Sequence, residues 1–364
     1  MAGTEALYDW LRACAWPLWL RHGVDWRAGA FHDSLTLDGY HATETFRRLR
    51  VLARQIYVFS QAHHHGVERA DEAVRIGLDY LFHHALQDDG GYAWRFALDG
   101  TVIDDRRDLY DHAFVLLALS AAASMGASDS MRAQALALDH FINTQLLHSQ
   151  VGYLEQMPPL LPRRQNPHMH LLEAYLAAAT QFQETLFLAR AEALIKLFVG
   201  HLFCSKEDLL PEYFNDNLEP LRVDGRFAWE PGHHCEWIWL LDWYERLSGT
   251  DVLAPLREAL WQRVVTAGIN QQDGGVINEV WSDGKPKDTD QRLWPQTERL
   301  KAAWLMRTSM PLALAPGVEV LQGFLREDGL WQERRGADPL IKNTVAPASS
   351  LYHLTSGILF IRSG

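Results

Sequence analysis

The chain has 364 residues, 48% of them hydrophobic and 22% charged, a globular composition long enough to bury a large core. Its formal net charge is −12, from 34 basic and 46 acidic residues with no long basic run, which argues against nucleic acid as a partner. Three widely spaced cysteines, Cys14, Cys204 and Cys235, make no CxxC pair. They offer neither a disulfide framework nor a zinc finger and suit a reducing compartment.

The N-terminus carries Glu5, Asp9 and Arg12 within its apolar stretch, unlike a signal peptide. No uncharged run reaches the ~18 residues of a membrane span. A soluble, cytoplasmic protein is expected, with no membrane partner.

From there the chain alternates between two kinds of segment. Apolar stretches with three- and four-residue spacing predict helices: "FRRLRVLARQIYVFSQA", "HAFVLLALSAAASM", "MHLLEAYLAAATQF", "EWIWLLDWYERL", "TERLKAAWLMRT" and "LYHLTSGILFI". Extended or turn-rich excursions begin near Gly29, Gly90, Gly152, Leu210, Gly274 and Gly329. Their spacing of about 60 residues fits one helical hairpin plus a short β excursion, repeated six times. This predicts an all-α fold, a closed (α/α)6 barrel with short β-hairpin excursions at one end, spanning 1–364 as a single catalytic domain. A helical solenoid is the alternative. Pro167, Pro231, Pro295 and Pro347 stand just before, or in the first turn of, an apolar helix, where a missing N–H costs nothing. Asn166 reads as an N-cap.

The first turns therefore meet at the excursion end, and they are rich in chemistry. They offer Tyr110, Asp111 and His112; Asn166, His168 and His170; His233, His234 and Glu236; Trp294, Gln296 and Glu298; and His353. His233 and Glu236 share a helix face at i and i+3, as do His170 and Glu173. A carboxylate beside an imidazole fixes its tautomer and raises its basicity, which suits a general acid or base near neutral pH. The competing reading is a buried histidine satisfied by a core carboxylate. His168 and His234 point to other faces and are expected to pack or cap. Cys235 reads as a small core residue. Arg54, a charge inside an apolar helix, either pairs with a structural carboxylate or binds a substrate hydroxyl. His63, His64 and His65 read as a solvated run at a helix end. No HExxH motif, acidic metal cage, phosphate loop or GxGxxG is present, so neither a metal nor a nucleotide cofactor is expected.

Assembled in order, "RVLARQIYVFS", "DLYDHAFVLLAL", "NPHMHLLEAYL", "EPGHHCEWIWLL", "RLWPQTERLKA" and "SSLYHL" resemble the N-acylglucosamine 2-epimerase superfamily over nearly the whole chain. The chain reads most like the mannose isomerase branch. The resemblance implies an (α/α)6 barrel and two acid/base histidines on opposite sides of a sugar, which fall on His233 and His353. It implies sugar-binding or supporting roles for Arg54, Tyr110, Asn166, His170, Glu236 and Trp294. It also implies an arginine ahead of the PGH motif, for which Arg222 or Arg226 is available. The expected reaction is aldose–ketose isomerisation through an enediolate, with D-mannose and D-fructose the best guess. The alternative is 2-epimerisation of mannose, glucose, cellobiose or an N-acylglucosamine. A glycoside hydrolase would need two opposed carboxylates, and a non-catalytic binder would not need both histidines. A monosaccharide is the expected partner, with a homodimer as a possible assembly.

Overall fold

In the computed structural model, which describes residues 2–126, 128–308, 314–336 and 343–363, the chain forms thirteen α-helices. In chain order these are α1 (Ala2–Trp10), α2 (Trp16–His22), α3 (Leu49–His64), α4 (Ala70–Tyr80), α5 (Leu109–Ala123), α6 (Ser128–Gln145), α7 (Asn166–Phe182), α8 (Thr185–Leu197), α9 (Pro231–Ser248), α10 (Ala254–Arg263), α11 (Leu293–Leu305), α12 (Leu314–Phe324) and α13 (Ala348–Ser363). The odd-numbered helices from α3 to α13 form an inner ring. Each touches the next, and α13 touches α3, so the ring is closed. The others lie outside.

Inner helices are apolar on nearly every face because they pack on both sides. In α5 all but Tyr110 are buried, as expected of a helix with no solvent face. Its start is set by Asp108, whose carboxylate accepts the Asp111 N–H at 3.1 Å. Pro231 opens α9, and Gly249, with φ of 75°, closes it in the left-handed region.

Short antiparallel strand pairs knit the ring at one end. The strand entering each inner helix pairs with the excursion of the next repeat. Phe46–Arg48 pairs with Arg95–Ala97, Arg107–Asp108 with Gln156–Met157, and Arg163–Arg164 with Tyr213–Phe214. Ala228–Trp229 pairs with Glu279–Trp281, Gln291–Arg292 with Arg334–Arg335, and Val345–Pro347 returns to Ser34–Thr36. The last pairing joins the two ends of the ring, which a solenoid would leave apart.

A second device holds the excursions down, built from His168 and His234, which the sequence expected to pack or cap, together with His112. The recurrence of histidine in first turns is largely structural. His112 Nε2 accepts the Tyr92 N–H at 3.0 Å, while Nδ1 bonds the Asp108 carbonyl four residues back. His168 does the same with Tyr153 and Arg164, and His234 with Leu210 and Glu230. In α11 the place is taken by Gln296, whose amide accepts from Val276 N–H and donates to the Arg292 carbonyl. Each latch satisfies a buried backbone N–H and a carbonyl at once. Burial pushes His112 and His168 down to about 4 and His234 to about 3, so all three are neutral latches at neutral pH.

Two residues beyond the latches stand His170, Glu236 and Glu298, and Phe114 after His112. Arg54 and His353 hold the same place after Leu52 and Leu351. All six are buried and follow one another around the barrel axis as one ring: Arg54 lies over Phe114, Phe114 beside His170, His170 near Glu236, and Glu236 close to Glu298 and His353.

Since glutamine already serves as a latch in α11, His168→Gln is expected to unfold within about 1 kcal/mol of the parent. His168→Leu strands the Tyr153 N–H and the Arg164 carbonyl and is expected to cost about 1–3 kcal/mol. Urea unfolding midpoints at constant slope measure the difference.

Candidate functional site

Where the strands gather, the first turns of the inner helices enclose a cavity of about 130 Å³. All eight site residues expected from the sequence line it: Arg54, Tyr110, Asn166, His170, His233, Glu236, Trp294 and His353. Glu230, Arg292, Glu333, Ser349 and Ser350 line it as well. A larger cavity, about 780 Å³, opens among the C-terminal halves of the same helices, against Leu117, Trp243 and Phe360. None of the eight reaches it.

Each of three imidazoles is held at Nδ1 by a buried carboxylate. His233 Nδ1–H donates to Glu212 at 2.9 Å, with Glu230 at 3.8 Å. His353 Nδ1–H donates to Glu298 at 2.9 Å. His170 Nδ1–H donates to Glu173 at 3.0 Å. A proton fixed on Nδ1 leaves Nε2 for other work. His233 Nε2 meets the Asn166 side-chain amide at 3.1 Å. Trp294 lies beside both outer imidazoles, 4.9 Å from His233 and 5.7 Å from His353 between ring centroids.

The two flanking histidines sit in opposite electrostatic settings. Burial alone would lower His233, but Glu212 and Glu230 more than offset it and raise it to about 9. Burial dominates at His353, which falls to about 3 despite its bond to Glu298. The reason lies behind Glu298. Its other oxygen accepts from the Lys301 ammonium at 2.8 Å and the Trp239 indole at 3.1 Å. Burial would raise Glu298, yet Lys301 and His353 bring it down to about 2. A carboxylate already neutralised by lysine does little to charge the histidine on its other side.

Arg54 has no carboxylate in ion-pairing contact among the described residues. It donates to Tyr110 OH at 2.7 Å and lies 4.1 Å over the Phe114 ring, which leaves charge to spare for the cavity. Arg292, beside Trp294, likewise has no carboxylate in ion-pairing contact among the described residues.

Several local readings change. His233 takes its carboxylate from Glu212, outside its own helix, while Glu236 lies nearer His170, at 3.7 Å. Asn166 is the first residue of α7 and aims its side chain at His233, so it caps nothing. Arg222 pairs with Glu207 and Arg226 with Asp283 at the surface; the arginine at the cavity is Arg292. Cys235 is buried core. Glu212 had no signal in the sequence, because only the excursion's path over α9 brings it to His233. The i, i+3 spacing of Glu298 and Lys301 could have been read.

Donor atoms that could hold an ion lie within 4.8 Å of one another in three sets: His170–Glu173–Glu236, Glu212–Glu230–His233 and Glu236–Glu298–His353. In the third set the Lys301 ammonium already occupies one Glu298 oxygen.

Comparison with known proteins gives the fold and the family. A protein from Rhizobium meliloti (strain 1021) named mannose-6-phosphate isomerase is 31% identical over 97% of this chain and 95% of its own. A D-mannose isomerase from Marinomonas mediterranea is 28% identical over 76% of this chain and 74% of its own. Among solved structures, the cellobiose 2-epimerase from Bacillus thermoamylovorans superposes with a TM-score of 0.88 at 20% identity, covering 99% of both chains. A D-mannose isomerase gives 0.86 at 23% identity, covering 99% of this chain and 97% of the other. These two likenesses establish the (α/α)6 barrel. The profile of the N-acylglucosamine 2-epimerase (GlcNAc 2-epimerase) family matches residues 29–357, and the chain belongs to that family.

Proposed function

We propose that this protein is an aldose–ketose isomerase that interconverts D-mannose and D-fructose by proton transfer through an enediolate. One observation carries the reading. Two imidazoles flank one small cavity, each fixed at Nδ1 by a buried carboxylate, and their surroundings drive them to opposite protonation states. Opposed pKa values at one site are how acid and base roles are divided.

In this reading His233 is the acid and His353 the base. His233, charged, gives its Nε2 proton to the ring oxygen as the C1–O bond breaks and regains one from the C1 hydroxyl, which leaves the open aldehyde. The His233 Nε2–H then needs an acceptor. Asn166 Oδ1, buried without a partner among the described residues, becomes that acceptor when the amide turns over. His353, neutral, takes the C2 proton, which the C1 aldehyde has made acidic. Return of that proton to C1 yields the ketose. Arg54, Tyr110 and His170 hold hydroxyls, and Trp294 covers one face of the sugar.

The cavity is well below the 300–1,000 Å³ of drug-sized sites, which favours a monosaccharide. Glu230 and Glu333 beside Arg292 favour the uncharged sugar over its phosphate. Names borne by relatives, two of them D-mannose isomerases, support the substrate. Free cysteines fit a cytoplasmic enzyme. The second reading, 2-epimerisation, shares every step up to the enediolate and differs in which face of C2 is reprotonated. It is favoured by the nearness of both imidazoles to Trp294.

Incubation with mannose in deuterated water, followed by NMR, separates the two. Fructose with deuterium at C1 is expected; glucose with deuterium at C2 and no ketose would establish the epimerase instead. His233→Ala and His353→Ala are each expected to lower kcat/KM by about 10²–10⁴-fold. Full activity in both would refute the mechanism.

The pH profile tests the division of roles. An essential proton on His233 is present below its folded pKa and lost above it, so kcat/KM should fall with an alkaline limb near pH 9. Glu212→Gln removes the largest group raising that pKa and should move the limb toward neutrality by about one unit or more. An unmoved limb would remove Glu212 from the account.

A further inference from the structure

Glu236 differs from the other carboxylates around the cavity. Glu173 accepts from His170 and Tyr352, and Glu298 from His353, Lys301 and Trp239. Glu212 accepts from His233, from the Gln165 amide and from the Glu230 N–H. Glu236 is 1% exposed, lines the cavity, and has no hydrogen-bond partner at either oxygen among the described residues. Its nearest basic atom, His170 Nδ1 at 3.7 Å, gives its proton to Glu173.

The charges around it do not favour an anion. The carboxylates of Glu173 on α7 and Glu298 on α11 face it, and each is already in ionic contact elsewhere. Lys301 is committed to Glu298, and His233 on its own helix to Glu212. His353 on α13 is neutral, Tyr352 bonds Glu173, and Arg54 on α3 bonds Tyr110 on α5. A bare carboxylate with no donor, between two others, is the most costly group a cavity wall can hold. Burial, then Glu298, raise Glu236 well above the ordinary carboxyl range; Lys301 and His233 offset part of this and Glu173 adds to it.

We propose that Glu236 stays a neutral carboxylic acid and carries the proton that isomerisation must move from O2 to O1 of the sugar. The proposal rests on the isomerase reading above. When His353 removes the C2 proton, the C2–H electron pair becomes the C1=C2 bond, and the C1=O π pair moves onto O1. Glu236 gives its O–H proton to O1 through one oxygen and accepts the O2 proton at the other. The proton on His353 then goes to C1. The product carries a C2 carbonyl and a C1 hydroxyl, and Glu236 ends as it began. Epimerisation needs no O2-to-O1 transfer. A neutral carboxyl suits the shuttle because donor and acceptor lie side by side on one group, as the neighbouring oxygens of an enediol do.

The test is Glu236→Gln, which keeps shape and hydrogen bonding but cannot pass a proton through. An infrared difference spectrum, wild type minus variant at pH 7, should show a protonated carboxyl band. Its absence overturns the neutral acid whatever the activity. With mannose in deuterated water, ketose formation should fall by about 10²-fold or more while C2 exchange falls much less. Equal losses in both overturn the shuttle. If the wild type converts no mannose, the isomerase reading fails while the infrared band still reports on Glu236. Stability provides the check on folding. A carboxyl raised above its unfolded value of 4.5 is protonated in both states below that pH, and it weakens the fold as pH rises above it. The variant should therefore gain on the wild type in unfolding midpoint between pH 5 and 8. A loss that grows with pH would mean that Glu236 is charged.

Discussion

Polar groups on the axis of a closed helical barrel are buried, and each one left unpaired there is costly. That constraint organises this protein. Six inner helices each send a side chain to one ring, and four of the six positions, Arg54, His170, Glu236 and His353, line the cavity. Glu298 lies behind them with Lys301. Removing either member of that buried pair would leave an uncompensated charge, so the two act as one unit. The unit also sets the character of His353, because a carboxylate satisfied by an ammonium can orient an imidazole without charging it.

His233 has the contrary arrangement. Its carboxylates, Glu212 and Glu230, come from the excursion and the helix entry, and among the described residues no lysine pairs with them. Two histidines of the same type, both buried and both bonded at Nδ1, are thus driven to opposite charge states by what stands one residue further away. Side-chain identity at the cavity says little about this. The surrounding charges decide it.

The repeat separates architecture from chemistry by small steps along each helix. The latch position carries His112, His168, His234 and Gln296, tied to backbone and neutral. Two residues on, the same helices carry Phe114, His170, Glu236 and Glu298, facing the axis. One residue before its latch, α9 carries His233. A shift of one or two residues turns a helical side chain by about 100° or 200°, enough to move an imidazole from a structural bond to the cavity wall. That explains how a chain with 17 histidines can place three at one cavity without confusing their roles.

Much of this was legible in the residues themselves. The sixty-residue repeat implied a closed ring of helical hairpins, and the clustering of polar first turns implied a shared mouth. Both follow from local chemistry: apolar spacing, proline at helix starts, glycine at turns. The eight residues expected at the site do line one cavity. Pairing was not legible. Glu212 is distant from His233 in sequence and reaches it only because the excursion folds back over α9. Glu236 shares a helix face with His233 yet goes without a partner, since the closed ring turns it toward α7 and α11. The partners of the repeated histidines were also hidden: His168 and His234 read as packing or capping residues, but the backbone groups they hold lie on the excursions. By itself the sequence determined the repeat, the helices and the stock of reactive groups, all matters of neighbours along the chain. The tertiary structure alone decided which carboxylate meets which imidazole, since that depends on ring closure and on burial at the axis.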